Sequence, residues 1–283
     1  MKQLEQIFLA IFVGVMLWAG AKLIPLAAGS GNLPSPQTVS PLQALAATPV
    51  FSFPVVDKAE VSSYFDHDNT AQVVTFYDGR SSKVGTGFLF TCPALDRVAP
   101  GAGNTWVGCE TAADNEVDCP NDRELWYDNH HGVDFEYAPN WRTGSQCDPS
   151  QFGNLNPPIY APTQGLVDTV GENHPFNGNF IILYHDLNGD ENFYNDGLRS
   201  YYLHFEDNGI VVDEGAVVEV GDLLGYGGMT GLAWTPHLHF EVQRRTESGW
   251  QPVDPYGWTG STQDPWVVPN YALWNEDISS TSQ

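Results

Sequence analysis

The side chains able to do chemistry in this chain are concentrated in its eight histidines. Two of them lie in Pro236-His-Leu-His-Phe-Glu-Val242. Alternate residues of a strand share a face, so Pro236, Leu238, Phe240 and Val242 turn toward a core while His237, His239 and Glu241 turn away from it. Imidazoles repeated along a polar strand face suit a metal ion or an acid–base pair. A second run, His130-His-Gly-Val-Asp-Phe135, is resolved by the same parity. Apolar Val133 and Phe135 take His131 to their side, leaving His130, Gly132 and Asp134 together, with the glycine making room between two candidate ligands. Gly132 and the following Ala138-Pro139 argue against a helix. In the third run, Leu198-Arg-Ser-Tyr-Tyr-Leu-His-Phe205, Tyr201, Leu203 and Phe205 form the expected core face and Ser200, Tyr202 and His204 the opposite one. If these strands share a sheet, their polar faces converge.

Two histidines and one carboxylate make a catalytic type of Zn²⁺ site, with three protein ligands and a fourth position open to water. Such an ion lowers the pKa of that water to about 7 and polarises a bound carbonyl. Two further imidazoles remain for proton transfer and for stabilising a tetrahedral oxyanion. No H-E-x-x-H helix supplies a glutamate base, so histidine must do that work.

In order and spacing, the H-x-G-x-D run, the late-strand histidine and the H-x-H run resemble the lysostaphin/LytM-type zinc metalloendopeptidases, a family of peptidoglycan hydrolases. Supporting segments agree: Pro158-Ile-Tyr-Ala-Pro162, Gly178-Asn-Phe-Ile-Ile182, Val220-Gly-Asp-Leu-Leu-Gly225 and Gly228-Met-Thr-Gly231. The resemblance runs from about Asp128 to Pro255, with Val61-Ser-Ser-Tyr-Phe-Asp-His67 as the opening strand. It implies that His130, Asp134 and His239 hold one zinc ion and that His204 and His237 are the catalytic pair beside a metal-bound water. It also implies a mainly β fold, an antiparallel sheet or barrel-like sandwich of the lysostaphin type (a duplicated hybrid motif). The activity implied is an exported, zinc-dependent endopeptidase that hydrolyses peptide cross-links of bacterial peptidoglycan, a monomer whose partner is the wall peptide. The alternatives are a non-catalytic regulator on the same fold and a calcium-dependent cell-wall or glycan-binding protein. Occupancy of all the key positions favours activity.

The chain departs from this pattern in several places. An insertion at about 68–127 is longer than the domain needs and carries Cys92, Cys109 and Cys119, with Cys147 beyond it. These cysteines form no C-x-x-C pair, so in an oxidising compartment two disulfides are expected; one reaching Cys147 would staple the insertion to the rim of the site. In Asp186-Leu-Asn-Gly-Asp-Glu-Asn-Phe-Tyr-Asn-Asp-Gly197, the residues Asp186, Asn188 and Asp190 fit the first oxygen ligands of a Ca²⁺ loop. Glu191 and Gly197 break that pattern, and a solvated hairpin tip is the competing reading. The C-terminal stretch from Asp254 to Trp274 is aromatic, suited to stacking on sugar rings or, more commonly, to folding back over the barrel edge. His67, His174 and His185 have no partner motif.

The elements that must position these groups are short strands. Strands are expected at 159–161, 165–170, 179–184, 198–205, 217–220 and 237–242, punctuated by Gly and Asp turns, and no apolar helical period runs past the N-terminal segment. The division expected is an export signal or membrane anchor (1–28, from the apolar run between Lys2 and Lys22), a Pro/Ser-rich linker (29–54), the peptidase domain (55–250) and the aromatic extension (251–283). With 11 basic against 35 acidic side chains, a net charge of −24, the chain lacks the cationic surface that nucleic acid requires. The same charge opposes adhesion to anionic membranes or walls unless a divalent cation intervenes. Nine tryptophans and 13% aromatic residues exclude a disordered chain.

Overall fold

A computed structural model describes residues 50–55, 60–83, 91–92, 97–98, 106–108, 125–137, 142–143, 146–147, 156–233 and 236–275. The export segment, most of the expected linker and most of the insertion lie outside these residues, as do the side chains of all four cysteines. Among the described residues there is no helix.

The strands are β1 (Glu60–Ser63), β2 (Val73–Thr75), β3 (Ser81–Lys83), β4 (Thr91–Cys92), β5 (Arg97–Val98), β6 (Trp106–Gly108), β7 (Leu125–Tyr127), β8 (Val133–Glu136) and β9 (Arg142–Thr143). They continue with β10 (Gln146–Cys147), β11 (Pro158–Tyr160), β12 (Gly165–His174), β13 (Gly178–His185), β14 (Leu198–Ile210), β15 (Val217–Val218), β16 (Leu223–Gly227), β17 (His237–Thr246) and β18 (Gly249–Val253). Ten of them form one sheet, in which β1, β8, β17, β14, β13, β12 and β15 lie side by side in that order. β18 continues the edge of β17 beyond β8, and β16 links β14 to β11. Every pairing in this sheet is antiparallel. The mainly β expectation therefore holds for the described residues, and β16 and β18 are strands that the sequence pattern did not single out.

Each long strand alternates. Ile181 and Leu183 of β13, Leu198 and Tyr202 of β14, and Leu238, Phe240 and Val242 of β17 are buried on one face. They form a single core with Val133 and Phe135 of β8. Residues outside the sheet complete it. Phe51 is fully buried, edge-on to Phe240, and Phe53 stacks on Trp274 with ring centroids 4.7 Å apart. The end of the expected linker is thus core, because Val50, Phe51 and Phe53 supply apolar side chains that pack against the sheet.

The aromatic C-terminus folds back. Leu273 accepts hydrogen bonds from the backbone of Val50 and Phe51, and the Trp266 indole donates to the Pro252 carbonyl at 3.0 Å. His67 secures the same segment: its ring nitrogens lie 2.9 Å from Asp254 and 2.8 Å from Asp264, out of contact with water. Burial opposes a charged imidazole there, yet the two carboxylates outweigh it and raise the His67 pKa above the usual value.

Candidate metal centre and histidine pair

Cross-strand pairing assembles the first cluster. Asp134 of β8 stands directly opposite His239 of β17 in the antiparallel register, so the two side chains share a face. His130 reaches the same point from the turn before β8. Asn129 there adopts a left-handed backbone, φ 59°, and its N–H is held by the buried Asp66 carboxylate at 3.0 Å. Asp134 Oδ1 lies 3.2 Å from His130 Nε2 and 2.9 Å from His239 Nδ1, and those two nitrogens are 3.1 Å apart. Among the described residues, these three donor atoms form the cluster able to hold a metal ion, all within 4.8 Å of one another. Gly132 is the residue that lets them close. A Cβ there would stand 2.6 Å from the His239 ring, inside any tolerable contact.

The outward nitrogens are also provided for. His130 Nδ1 is 2.8 Å from the Tyr64 carbonyl, which can only accept, so the proton sits on Nδ1 and Nε2 offers its lone pair inward. His239 Nε2 points to Glu241, 3.9 Å from its Oε2. Imidazoles that ligate metals are commonly oriented by a carbonyl or carboxylate on the far nitrogen in this way.

Charge completes the description. Burial would raise the Asp134 pKa, but the surrounding histidines more than offset it and hold the carboxyl ionised, well below the usual range. Burial would likewise depress His239; hydrogen bonds to Asp134 and Glu241 reverse this and push it up to about 9. The pocket is therefore built around positive charge, which a proton or a metal cation can supply.

A second pair lies alongside. The rings of His204 and His237 have centroids 4.8 Å apart, and His204 is 6.3 Å from His239. Here strand parity fails. Leu203 stands opposite His239 and Tyr201 opposite Glu241, so Arg199, Tyr201 and Leu203 occupy the site face, while Ser200 and Tyr202 are buried in the core. That reverses the expected faces of β14. The misleading cue was Ser200, which is buried because it bonds His185 Nε2 at 2.7 Å and lies 2.9 Å from the Tyr202 hydroxyl. By alternation His204 would follow Tyr202 inward. Instead its φ is 70°, and the pairing slips between Ile181↔Tyr202 and Asn179↔Phe205, so that β14 carries one residue more than β13. This β-bulge re-aims the ring onto the site face. His204 Nδ1 lies 2.8 Å from the Thr230 carbonyl, which leaves Nε2 as the acceptor. Burial, together with the neighbouring His237 and His239, depresses the His204 pKa well below the usual value and keeps it neutral.

The other candidates are placed elsewhere. His131 turns away from the cluster to pack on Phe65 and Trp266, at centroid distances of 5.8 and 5.4 Å. In the acidic loop, Asp186 accepts the backbone N–H groups of Asn188, Gly189 and Glu191, while Asp190 accepts that of Asn192. These oxygens cap their own turn, as in the hairpin-tip reading, and no calcium role is carried forward. Sequence reasoning passed over Glu241 as a partner of His239, although it shares the parity of His237 and His239. The carbonyls of Tyr64 and Thr230 leave no signal in side-chain type.

Residues 150–255 match peptidase family M23. This chain carries a peptidase family M23 domain. The matched stretch contains His204, His237 and His239; from upstream of it the β8–β17 pairing adds Asp134 and the turn before β8 adds His130. Over 100 residues the chain is 33% identical to the peptidoglycan DD-endopeptidase ShyB of Vibrio cholerae serotype O1, covering 35% of this chain and 20% of that protein. Over 150 residues it is 29% identical to lysostaphin of Staphylococcus staphylolyticus, covering 50% of this chain and 25% of that one. The solved catalytic domain of lysostaphin from Staphylococcus simulans is 27% identical, with a TM-score of 0.32, covering 45% of this chain and 76% of that domain. The aligned segments thus span about a fifth to a quarter of the curated relatives, so the likeness concerns the M23 domain rather than those whole proteins.

Proposed function

We propose that this chain is a zinc-dependent endopeptidase that cleaves peptide cross-links of bacterial peptidoglycan outside the cytoplasm. The observation that carries the reading is the His130–Asp134–His239 cluster, three convergent donors with both imidazoles oriented from behind. Two imidazole nitrogens and one carboxylate oxygen are a donor set that suits Zn²⁺ and leaves a coordination position open. When bound there, zinc supplies Lewis acidity toward a peptide carbonyl and a nearby water.

The remaining chemistry falls to the protein's own groups. Neutral His204, with Nδ1–H held on the Thr230 carbonyl, presents Nε2 to accept the proton of the attacking water. His237, with Nε2 3.8 Å from Asp134 Oδ1, is placed to stabilise charge developing on the carbonyl oxygen. Glu241 holds the His239 ring in orientation. The likeness to endopeptidases named for peptidoglycan and the apolar run of the N-terminal segment support a wall substrate and export.

The test is incubation of zinc-loaded protein with purified peptidoglycan, with released fragments identified by mass spectrometry. His237→Ala and His239→Ala are run in parallel. New peptide termini from the wild type alone are expected. Stoichiometric zinc with no new termini would defeat the proposal.

A further inference from the structure

The face that carries the metal cluster continues along β14 and β17 to a cationic end. Leu203, Tyr201 and Arg199 stand opposite His239, Glu241 and Gln243 in successive pairs, all on the site side of the sheet. At the far end the Arg199 guanidinium lies 4.3 Å from the Trp250 ring centre and 5.2 Å from that of Tyr201. Arg245, one pair further along β17, lies 6.0 Å from the same indole. Two of the chain's few cations thus flank one ring.

Neither arginine has a carboxylate partner among the described residues. The Arg199 hydrogen bonds go to neutral groups, with Nε and Nη2 on Gln243 Oε1 at 2.9 and 2.6 Å and Nη1 on the Tyr184 hydroxyl at 3.1 Å. Glu241, the nearest acid in this row, is engaged by the Gln243 amide and faces His239. Arg245 is exposed and Arg199 half-exposed, so both cations are open to an incoming group. Guanidinium offers paired donors matched to a carboxylate. Four strand positions separate Leu203 from Arg199, about 13 Å at the usual rise, a span that an extended peptide covers in four residues.

We propose that Arg199 and Arg245, on the Trp250 platform, form a subsite for a carboxylate on the substrate peptide about four residues from the bond cleaved. This rests on the endopeptidase reading, because that reading lays a peptide across this face. The −24 chain repels anions in general, and the subsite admits one at a fixed distance.

The experiment is calorimetric titration of the full zinc-loaded chain with an uncross-linked wall stem peptide, native or with its carboxyl groups converted to amides. Wild type should bind the native peptide at least tenfold more tightly than the amidated one. Arg199→Gln and Arg245→Gln should each abolish most of that preference, while Arg199→Lys retains part of it. Melting curves of each variant exclude a folding defect. Equal binding of the two peptides by wild type, no binding of either, or an undiminished preference in both Gln variants would overturn the subsite. Cleavage of peptidoglycan with equal binding would leave the endopeptidase standing without the subsite. Selective binding without cleavage would do the reverse.

Discussion

The imidazoles of His204 and His237 face each other at 4.8 Å because His204 breaks the alternation of its own strand. Its left-handed backbone is disfavoured for a side chain with a Cβ, at a cost of order 1–2 kcal/mol. A bulge that sets such a residue beside a candidate centre is the arrangement expected where placement of a side chain outweighs local stability. His204→Gly is therefore expected to be at least as stable as His204→Ala while both lose activity, by about 10²-fold or more, at unchanged zinc content. Thermal melts, metal analysis and turnover on peptidoglycan check the three parts separately. Loss of zinc from either variant would show that His204 supports the metal cluster rather than the proton transfer.

Gly132 supplies no ligand, yet its lack of a side chain permits the cluster. Gly132→Ala would set a Cβ 2.6 Å from His239 and 2.8 Å from the Phe240 carbonyl, so the ring or the β8–β17 pairing must shift. Zinc affinity should fall sharply although every donor remains in the sequence. Competition with a chromophoric chelator measures this, and wild-type affinity in the variant would refute the packing argument.

Glu241 stands behind the His239 ring, 3.9 Å from Nε2, so its effect on zinc binding would run through His239. Glu241→Gln removes the charge behind Nε2 and should weaken zinc binding by about 10- to 100-fold. The His239 proton, raised to about 9 in the metal-free pocket partly by Glu241, should also leave at lower pH, as an NMR titration of the apo protein would detect. An unchanged zinc affinity would reduce Glu241 to a surface carboxylate.

The meeting of Asp134 with His239 was legible because β8 and β17 are regular where they pair. Parity placed Asp134 on one face of the first and His239 on one face of the second, whereas His130 joins them through the turn before β8 and not by alternation. The fate of β14 was not legible, because alternation presumes an unbroken strand and a bulge has no signature in residue type. The assignment of Tyr201 and Leu203 to the core failed for a related reason. Both are apolar but half-exposed on the site face, while the hydroxyls of Ser200 and Tyr202 are buried beside His185. The fold-back of the aromatic C-terminus was expected, but its meeting of Trp274 with Phe51 was hidden, since these residues come from opposite ends of the domain and neither sits in a periodic run.

That closure has a measurable consequence. Trp274 packs against Phe51, Phe53, Phe240 and Tyr256 and is almost wholly buried. Trp274→Ala should cost about 3–5 kcal/mol of stability, as for other buried large aromatics. Urea denaturation would read it directly. A loss below about 1 kcal/mol, the scale of an ordinary surface substitution, would mean that the C-terminal segment is peripheral to the fold.

His185 makes stability depend on pH away from the candidate site. It is fully buried, with Nδ1 3.0 Å from the Gln164 carbonyl and Nε2 on Ser200, and burial lowers its pKa to about 4. In the unfolded chain the same imidazole titrates near 6.5. Above 6.5 neither state binds the proton and the full contribution is present. Between about 6.5 and 4 the unfolded chain takes up a proton that the folded protein refuses, so stability falls as the pH is lowered, by about 3 kcal/mol in all. Below about 4 both states are protonated and the slope vanishes. His185→Gln, which removes the titration, should be less stable at pH 7 yet lose less on going to pH 4.5. Other acid-sensitive groups act on both proteins, so the difference between their two slopes isolates the His185 contribution. Parallel slopes in urea titrations would show that this imidazole does not set the acid limb.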